Sequence, residues 1–192
     1  APMQAAKKLG IQRVVVSYDS QPGLATKRQA RDAHLVTKSH PHSPLSTATL
    51  VGAPIRRHLR QAGHTQIDAT TKNAARSVLG IPLHQFVVVV MGGSLGSALL
   101  NGVTEELRHN NKLSTVFWYH IAGNRYVEND APKTSSNCIQ VGYETRIQEV
   151  YQAADLVVAR SGASTIGEIS TMGVASILVP WAGAEDNHQD QN

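Results

Sequence analysis

A doubly wound α/β fold with parallel sheets is predicted for this chain, and three observations predict it. The strand-like runs are apolar along their length, as in "FVVVVMG" and "DLVVAR". Helix-forming segments separate them, the rhythm of a parallel sheet covered on both faces. Glycines and hydroxyl residues cluster where two of these runs end, and in such sheets ligands lie beyond the carboxyl ends of the strands.

The elements follow in order. "APMQAAKKLG" joins helix formers to a glycine stop, and "RVVVSYD" is a short apolar run between turn residues, giving a helix and then a buried strand. "QPGLATKRQARDA" reads as a turn feeding a helix and "HLVTKS" as a small strand. Residues 53–85 continue a Pro-, Gly-, Ser-, Thr- and His-rich stretch and read as an interdomain linker, with short helices at "IRRHLRQAG" and "TKNAARSVLG". This divides the chain into segments 1–52, 53–85 and 86–192. In the last of these, "FVVVVMG", "STVFWYHIAG", "NCIQVGY", "DLVVAR" and "ASILVPW" are strands, and "SALLNGVTEELRHN", "RIQEVYQAA" and "STIGEISTMG" are helices. No internal repeat is visible.

Composition narrows the function. With 192 residues, 41% hydrophobic and 17% charged, the chain is ordinary globular material for one large domain or two small ones. The net charge of +4 is spread without a basic block, which suits an anionic ligand or an anionic membrane surface. Only two Phe, two Trp and five Tyr are present and no basic stripe, which argues against nucleic acid as a partner. The single cysteine, Cys138, cannot form an internal disulfide or a thiolate cage, so a reducing cytoplasm is the simplest compartment. No apolar run approaches the roughly 20 residues that span a bilayer, so membrane contact would be peripheral. The opening lacks an initiator methionine and a signal-peptide layout, and "EDNHQDQN" closes without a finishing element, as in a piece cut from a longer chain.

Two loops carry the candidate chemistry. Gly92-Gly93-Ser94-Leu95-Gly96-Ser97 leaves the run Phe86–Met91 and opens a helix near Ser97. Glycines let backbone approach a ligand closely, and a helix start offers unpaired amides and a positive dipole end, so a phosphate fits. The spacing is neither Gly-x-Gly-x-x-Gly nor a P-loop, and the following strand lacks the acid that would take a dinucleotide ribose, so nicotinamide cofactors and ATP hydrolysis lose ground. A tight turn without a ligand is the alternative. The second loop, Arg160 to Glu168, repeats glycine, hydroxyls and a helix start, and Arg160 adds a forked cationic donor. Together the loops point to an extended anion such as a nucleoside diphosphate. Thr165-Ile166-Gly167-Glu168 also matches a capping box, in which Glu168 would bond back to the helix start.

Other residues read more plainly. His40 and His42 lack an acid or thiol neighbour and read as a solvated loop, His58 and His64 sit in a polar helix and its exit, and no metal site is expected. Trp118 and Tyr119 read as core, and Cys138 has no basic neighbour to make it reactive. Arg56, Arg57 and Arg60 form a basic helix face that reads as solvated, with anionic lipid headgroups as the alternative.

"GGSLGS", "RSGASTIGE", "ILVP" and "HQDQN", with "APMQAAKKLGIQRVVVSYDSQPGLATKRQA" and "VGAPIR" upstream, resemble in the same order the peptidoglycan N-acetylglucosamine transferases of the MurG family. The resemblance implies a GT-B type fold of two Rossmann-like domains, the first incomplete here, with residues 1–52 on the acceptor side and residues 86–192 binding the donor. It implies transfer of N-acetylglucosamine from UDP-GlcNAc to the C4 hydroxyl of undecaprenyl-linked N-acetylmuramoyl-pentapeptide, with inversion, at the cytoplasmic face of the bacterial membrane, and with no cofactor. A non-catalytic UDP-sugar binding module, or an inactive fragment, is the alternative.

The same resemblance implies roles for individual residues. Ser94 would hydrogen-bond the diphosphate and Arg56 would approach it. The Glu144 backbone would read the uracil edge and Ile147 would pack on the ring. Ala163, Ser164 and Thr165 would line the nucleotide, Glu168 would bind the ribose hydroxyls, and His188 and Gln189 the sugar. Departures are Val16-Ser17-Tyr18-Asp19 where His-Glu-Gln-Asn is usual, Ala53 for Asn, and Leu95 for glutamine. An acid at position 19 would repel a diphosphate unless a cation intervened. No catalytic base is assigned.

Overall fold

The protein is described by a computed structural model over residues 2–127, 132–181, 183 and 188–192. The chain divides into two compact units, one of Ala1–Pro54, Ser161–Gly167 and Pro180–Asn192, the other of Ile55–Arg160 and Glu168–Val179.

The first unit begins with helix α1 (Pro2–Lys8), strand β1 (Val14–Ser17), helix α2 (Leu24–Ala30) and strands β2 (Leu35–Lys38) and β3 (Thr49–Leu50). The three strands run parallel in the order β1-β2-β3, with Val15 opposite Val36 and Thr37 opposite Thr49. Residues of β1 alternate between exposed and buried. The strand is therefore covered on one face only, where "RVVVSYD" reads as buried on both. β3 has two residues and escapes a reading based on apolar runs, because pairing with β2 alone makes it a strand.

The second unit adds α3 (Arg57–Ala62), α4 (Ala69–Leu79), β4 (Phe86–Met91), α5 (Ala98–Arg108), β5 (Val116–Ile121), β6 (Lys133–Ser135), β7 (Cys138–Val141), α6 (Ile147–Ala153) and β8 (Leu156–Arg160). Helix α7 (Ala163–Met172) spans the division between the units, β9 (Ser176–Val179) ends the second, and α8 (His188–Gln191) belongs to the first. The sheet order is β6-β7-β5-β4-β8-β9. Neighbours are parallel except β6 with β7, an antiparallel edge that the sequence did not announce because "KTS" is short and polar.

Successive residues of β4 point to opposite faces and enter different cores. Val87 and Val89 join Ala75 and Leu79 of α4, Val150 and Tyr151 of α6, and Ile169 and Met172 of α7. Val88 and Val90 join Leu100 of α5, Trp118 and Cys138 on the other face. That two-sided burial is what the continuous apolar run demands. Of residues 53–85, read as a linker with short helices, 55–85 lie within the second unit and carry α3 and α4. α4 is capped at Asp68, which accepts from the Thr71 amide at 2.7 Å, and stops at Gly80 in the left-handed conformation.

The order reverses at β4, which has β5 on one side and β8 on the other. Such a switch point opens a crevice at the carboxyl ends of the strands, the expected place for a ligand.

Candidate functional site

The loop leaving β4 at that switch point is built backbone against backbone. Gly96 lies at φ +72°, and a β-carbon there would stand 2.0 Å from the Ala122 carbonyl oxygen. Across the contact, a β-carbon on Gly123 would stand 2.6 Å from the Gly96 nitrogen. Only glycine at both positions lets the loops after β4 and β5 meet, so "GGSLG" is a packing requirement as much as a place for a ligand. Ser97 then caps α5, its hydroxyl accepting from the Leu100 amide at 3.4 Å. Ser94 and Leu95 stand exposed on the rim.

Arg160, at the end of β8, ties this rim together. Its Nη2 donates to the Ser97 hydroxyl at 2.8 Å and its Nη1 to the Val179 carbonyl at 3.3 Å. The forked donor that the sequence aimed at an anion therefore also fastens the exits of β4 and β9.

Beneath the loop, His120 is buried in β5. Asn101 donates its amide to the Ala122 carbonyl at 3.0 Å, which leaves its oxygen to accept from His120 Nε2 at 2.9 Å. Burial pushes the His120 imidazole down to about 4, so it is neutral at pH 7.

Glu144 follows β7 with its carboxylate committed. Its oxygens accept from the Tyr119 hydroxyl and from the amide, Nε and Nη2 of Arg146. Burial acts to raise its pKa, but the hydrogen bonds from Arg146 and Tyr119 outweigh it and hold the group down at about 2. The side chain is structural, and the main chain is what remains for the expected uracil contact. Ile147, the first residue of α6, is 5% exposed and belongs to the core.

Glu168 and Arg56 come together although 112 residues separate them: Arg56 Nε and Nη2 donate to Glu168 Oε1 at 3.0 and 2.7 Å. The Tyr151 hydroxyl donates to Glu168 Oε2 at 3.0 Å. The capping-box reading is corrected here. α7 begins at Ala163, so Thr165 is already helical, Glu168 lies beyond the first turn, and its carboxylate faces Tyr151 and Arg56 instead of the helix start.

In the first unit, Ala163, Ser164 and Thr165 form the opening turn of α7, whose amides have no carbonyl one turn back within the helix; the bond from the Ile166 amide to the Gly162 carbonyl is 3.0 Å. Gln189 is used internally, its Oε1 accepting from the Trp181 amide at 2.9 Å and its carbonyl from the Ser161 hydroxyl at 2.7 Å. His188 opens α8, and its side chain lies outside the described residues. Asp19, the acid expected to repel a diphosphate, accepts from the Asn192 amide at 3.2 Å. The same Asn192 amide donates to the Ser161 carbonyl at 3.2 Å, and its oxygen accepts from the Ser20 amide at 3.1 Å.

The sequence reading missed Tyr151 and Asn192. "EVYQAA" shows Tyr151 only as part of an apolar helix stripe, and the partner of Asn192 is 173 residues away. Among the described residues no group of three or more His, Cys, Asp or Glu is placed to hold a metal ion.

Residues 87–192 match the Glycosyltransferase family 28 C-terminal domain. A curated relative from Cutibacterium acnes, a UDP-N-acetylglucosamine--N-acetylmuramyl-(pentapeptide) pyrophosphoryl-undecaprenol N-acetylglucosamine transferase, is 31% identical over 92% of this chain and 49% of its own length. One of the same name from Desulforudis audaxviator is 32% identical over 98% of this chain and 52% of its own length. The chain spans about half the length of the curated relatives it matches. The crystal structure of Acinetobacter baumannii MurG shares the fold with a TM-score of 0.66 at 24% identity, over 98% of this chain and 51% of that one. The glycotransferase of kitacinnamycin follows with a TM-score of 0.56 at 13% identity, over 96% of this chain and 56% of that one.

Proposed function

Because the chain belongs to glycosyltransferase family 28, by its match to the carboxyl-terminal domain of that family, we propose that it is the donor-binding part of a UDP-GlcNAc-dependent hexosyltransferase of peptidoglycan synthesis. The observation that carries this reading is the glycine loop at the switch point of the second unit's sheet, footed on Gly123 and tied by Arg160. Exposed Ser94 on that loop takes the diphosphate, and the Glu144 main chain reads the uracil beside Ile147. Glu168 takes the ribose diol, and Arg56 exchanges its contact with Glu168 for one with the diphosphate. The Ser164 and Thr165 amides add to the phosphate contacts, and His188 and Gln189 serve the sugar. Segment 1–52 belongs to the acceptor side.

In the reaction the acceptor C4 hydroxyl oxygen bonds to the anomeric carbon as the bond from that carbon to the β-phosphate oxygen breaks, and the hydroxyl proton passes to a general base, a role given to none of the residues named. Inversion follows, and UDP departs. Helix amino termini and arginine stabilise the charge that develops on the leaving diphosphate. The acceptor is an undecaprenyl-linked N-acetylmuramoyl-pentapeptide, met by peripheral contact with an anionic membrane surface at its cytoplasmic face. Among the described residues no helix is long and apolar enough to cross a membrane.

Calorimetric titration with UDP-N-acetylglucosamine, UDP-N-acetylgalactosamine and NAD tests the donor. Measurable affinity is expected for the first, weaker affinity for its C4 epimer and none for the dinucleotide; equal binding of the two sugars, or none of either, overturns the assignment. The alternative is a UDP-sugar binding module without turnover. Turnover of a lipid-linked acceptor separates the two.

A further inference from the structure

Glu168 receives hydrogen bonds from two donors that differ in freedom. Arg56 is half exposed on a long side chain, with 48% of that side chain accessible, and can leave for another anion. Tyr151 is 0% exposed, part of the core shared by α4, α6, α7, β4 and β8, and its hydroxyl donates to Glu168 from that buried position. Burial pushes the Tyr151 phenol well above its ordinary range, with the Glu168 charge acting in the same direction. The hydroxyl therefore keeps its proton and acts as a donor to Glu168.

We infer that Tyr151 is the positioning residue of the nucleotide site: by donating to Glu168 Oε2 from a fixed, buried ring, it aims that carboxylate at the ribose diol and so sets the preference for ribonucleotide over deoxyribonucleotide donors. The inference rests on the proposed ribose role of Glu168. A carboxylate has about four acceptor positions, and the Tyr151 bond occupies one of them on Oε2. When Arg56 turns to the diphosphate, Oε1 becomes free to accept from one ribose hydroxyl. The remaining lone pair of Oε2 serves the second. Without the Tyr151 hydroxyl the carboxylate rotates about its last bond, and the 2′-hydroxyl loses its fixed acceptor.

The test is competition between UDP-N-acetylglucosamine and its 2′-deoxyuridine counterpart, titrated calorimetrically into the unsubstituted protein, Tyr151→Phe and Glu168→Gln. The unsubstituted protein should prefer the ribonucleotide roughly tenfold or more, as expected for one hydrogen bond to a charged group. Tyr151→Phe should bring the two affinities within about twofold while leaving affinity for the deoxy compound nearly unchanged. A loss of packing would weaken both ligands alike and leave the ratio untouched, so the ratio isolates positioning from stability. If Tyr151→Phe does not fold, 4-fluorophenylalanine at position 151 fills the same volume without a donor and is read in the same way. A ratio that survives at position 151 but collapses in Glu168→Gln overturns the role of Tyr151 and keeps that of Glu168. A ratio near one in the unsubstituted protein overturns the ribose assignment itself.

Discussion

The two ends of the second unit's sheet are built from similar residue types and used oppositely. At the amino-terminal end, Asp155 accepts from Lys72 Nζ at 2.8 Å, Arg76 Nη2 at 2.6 Å and the Val87 amide at 2.7 Å. Arg76, itself buried, spends its other donors on the carbonyls of Ala153, Leu83 and Gln85. Each of these charges answers another within the unit, and burial, which alone would raise the Asp155 pKa, is overcome by Lys72, the Val87 amide and Arg76. At the carboxyl-terminal end, Ser94 stands exposed and Arg56 holds Glu168 with nearly half of its own side chain in water. Polar groups satisfied inside the fold hold it shut. Groups of the same chemistry left at a rim are available to something else.

The largest effect is expected from opening the closed end. Asp155→Ala leaves Arg76 buried without its counter-charge and should cost about 3–5 kcal/mol in urea unfolding, with donor affinity per folded molecule unchanged; a matching loss of affinity would break the contrast. At the open end, Glu168→Ala should lower UDP-N-acetylglucosamine affinity roughly ten- to a hundredfold in calorimetry, with a smaller unfolding cost of about 1–3 kcal/mol from the Tyr151 hydroxyl left without its acceptor. Gly96→Ala should cost about 2 kcal/mol, because it meets both an unfavourable φ and the Ala122 carbonyl, and should weaken donor binding as well.

A pH titration sharpens the comparison further. His120 titrates at about 4 in the fold against 6.5 ordinarily, so between these values the unfolded chain holds the extra proton. Its contribution is complete above the ordinary value and drains as pH falls toward 4, by about 3 kcal/mol, which His120→Gln should flatten. Glu144, held at about 2 in the fold against 4.5 ordinarily, loses its contribution only below that ordinary value, so the two windows fall in sequence as acid is added. Smallest of all, Lys72→Met should cost about 1 kcal/mol or less, since that ammonium is 30% exposed.

The legible parts of the fold were those where a short window contains the whole cause. β4 and β8 declare themselves because both faces are buried, and the glycine loop because close backbone approach excludes side chains. β3 and β6 do not, since their strand character comes from a neighbour and not from their own residues. The linker reading of 53–85 saw prolines and glycines but not that Ala75 and Leu79 share a face toward the core. At the site, residue types were legible and partnerships were not: nothing near Glu168 in sequence announces Arg56, and only the position of the first turn of α7 separates a cap from a side chain turned toward Tyr151.

The meeting of Gly96 with Gly123 divides the β4 loop into a footing and a lip. No side chain can enter the footing without forcing the two loops apart. The lip carries Leu95, 70% exposed. Residues at the lip can thus be exchanged while the foundation on which it rests is left undisturbed.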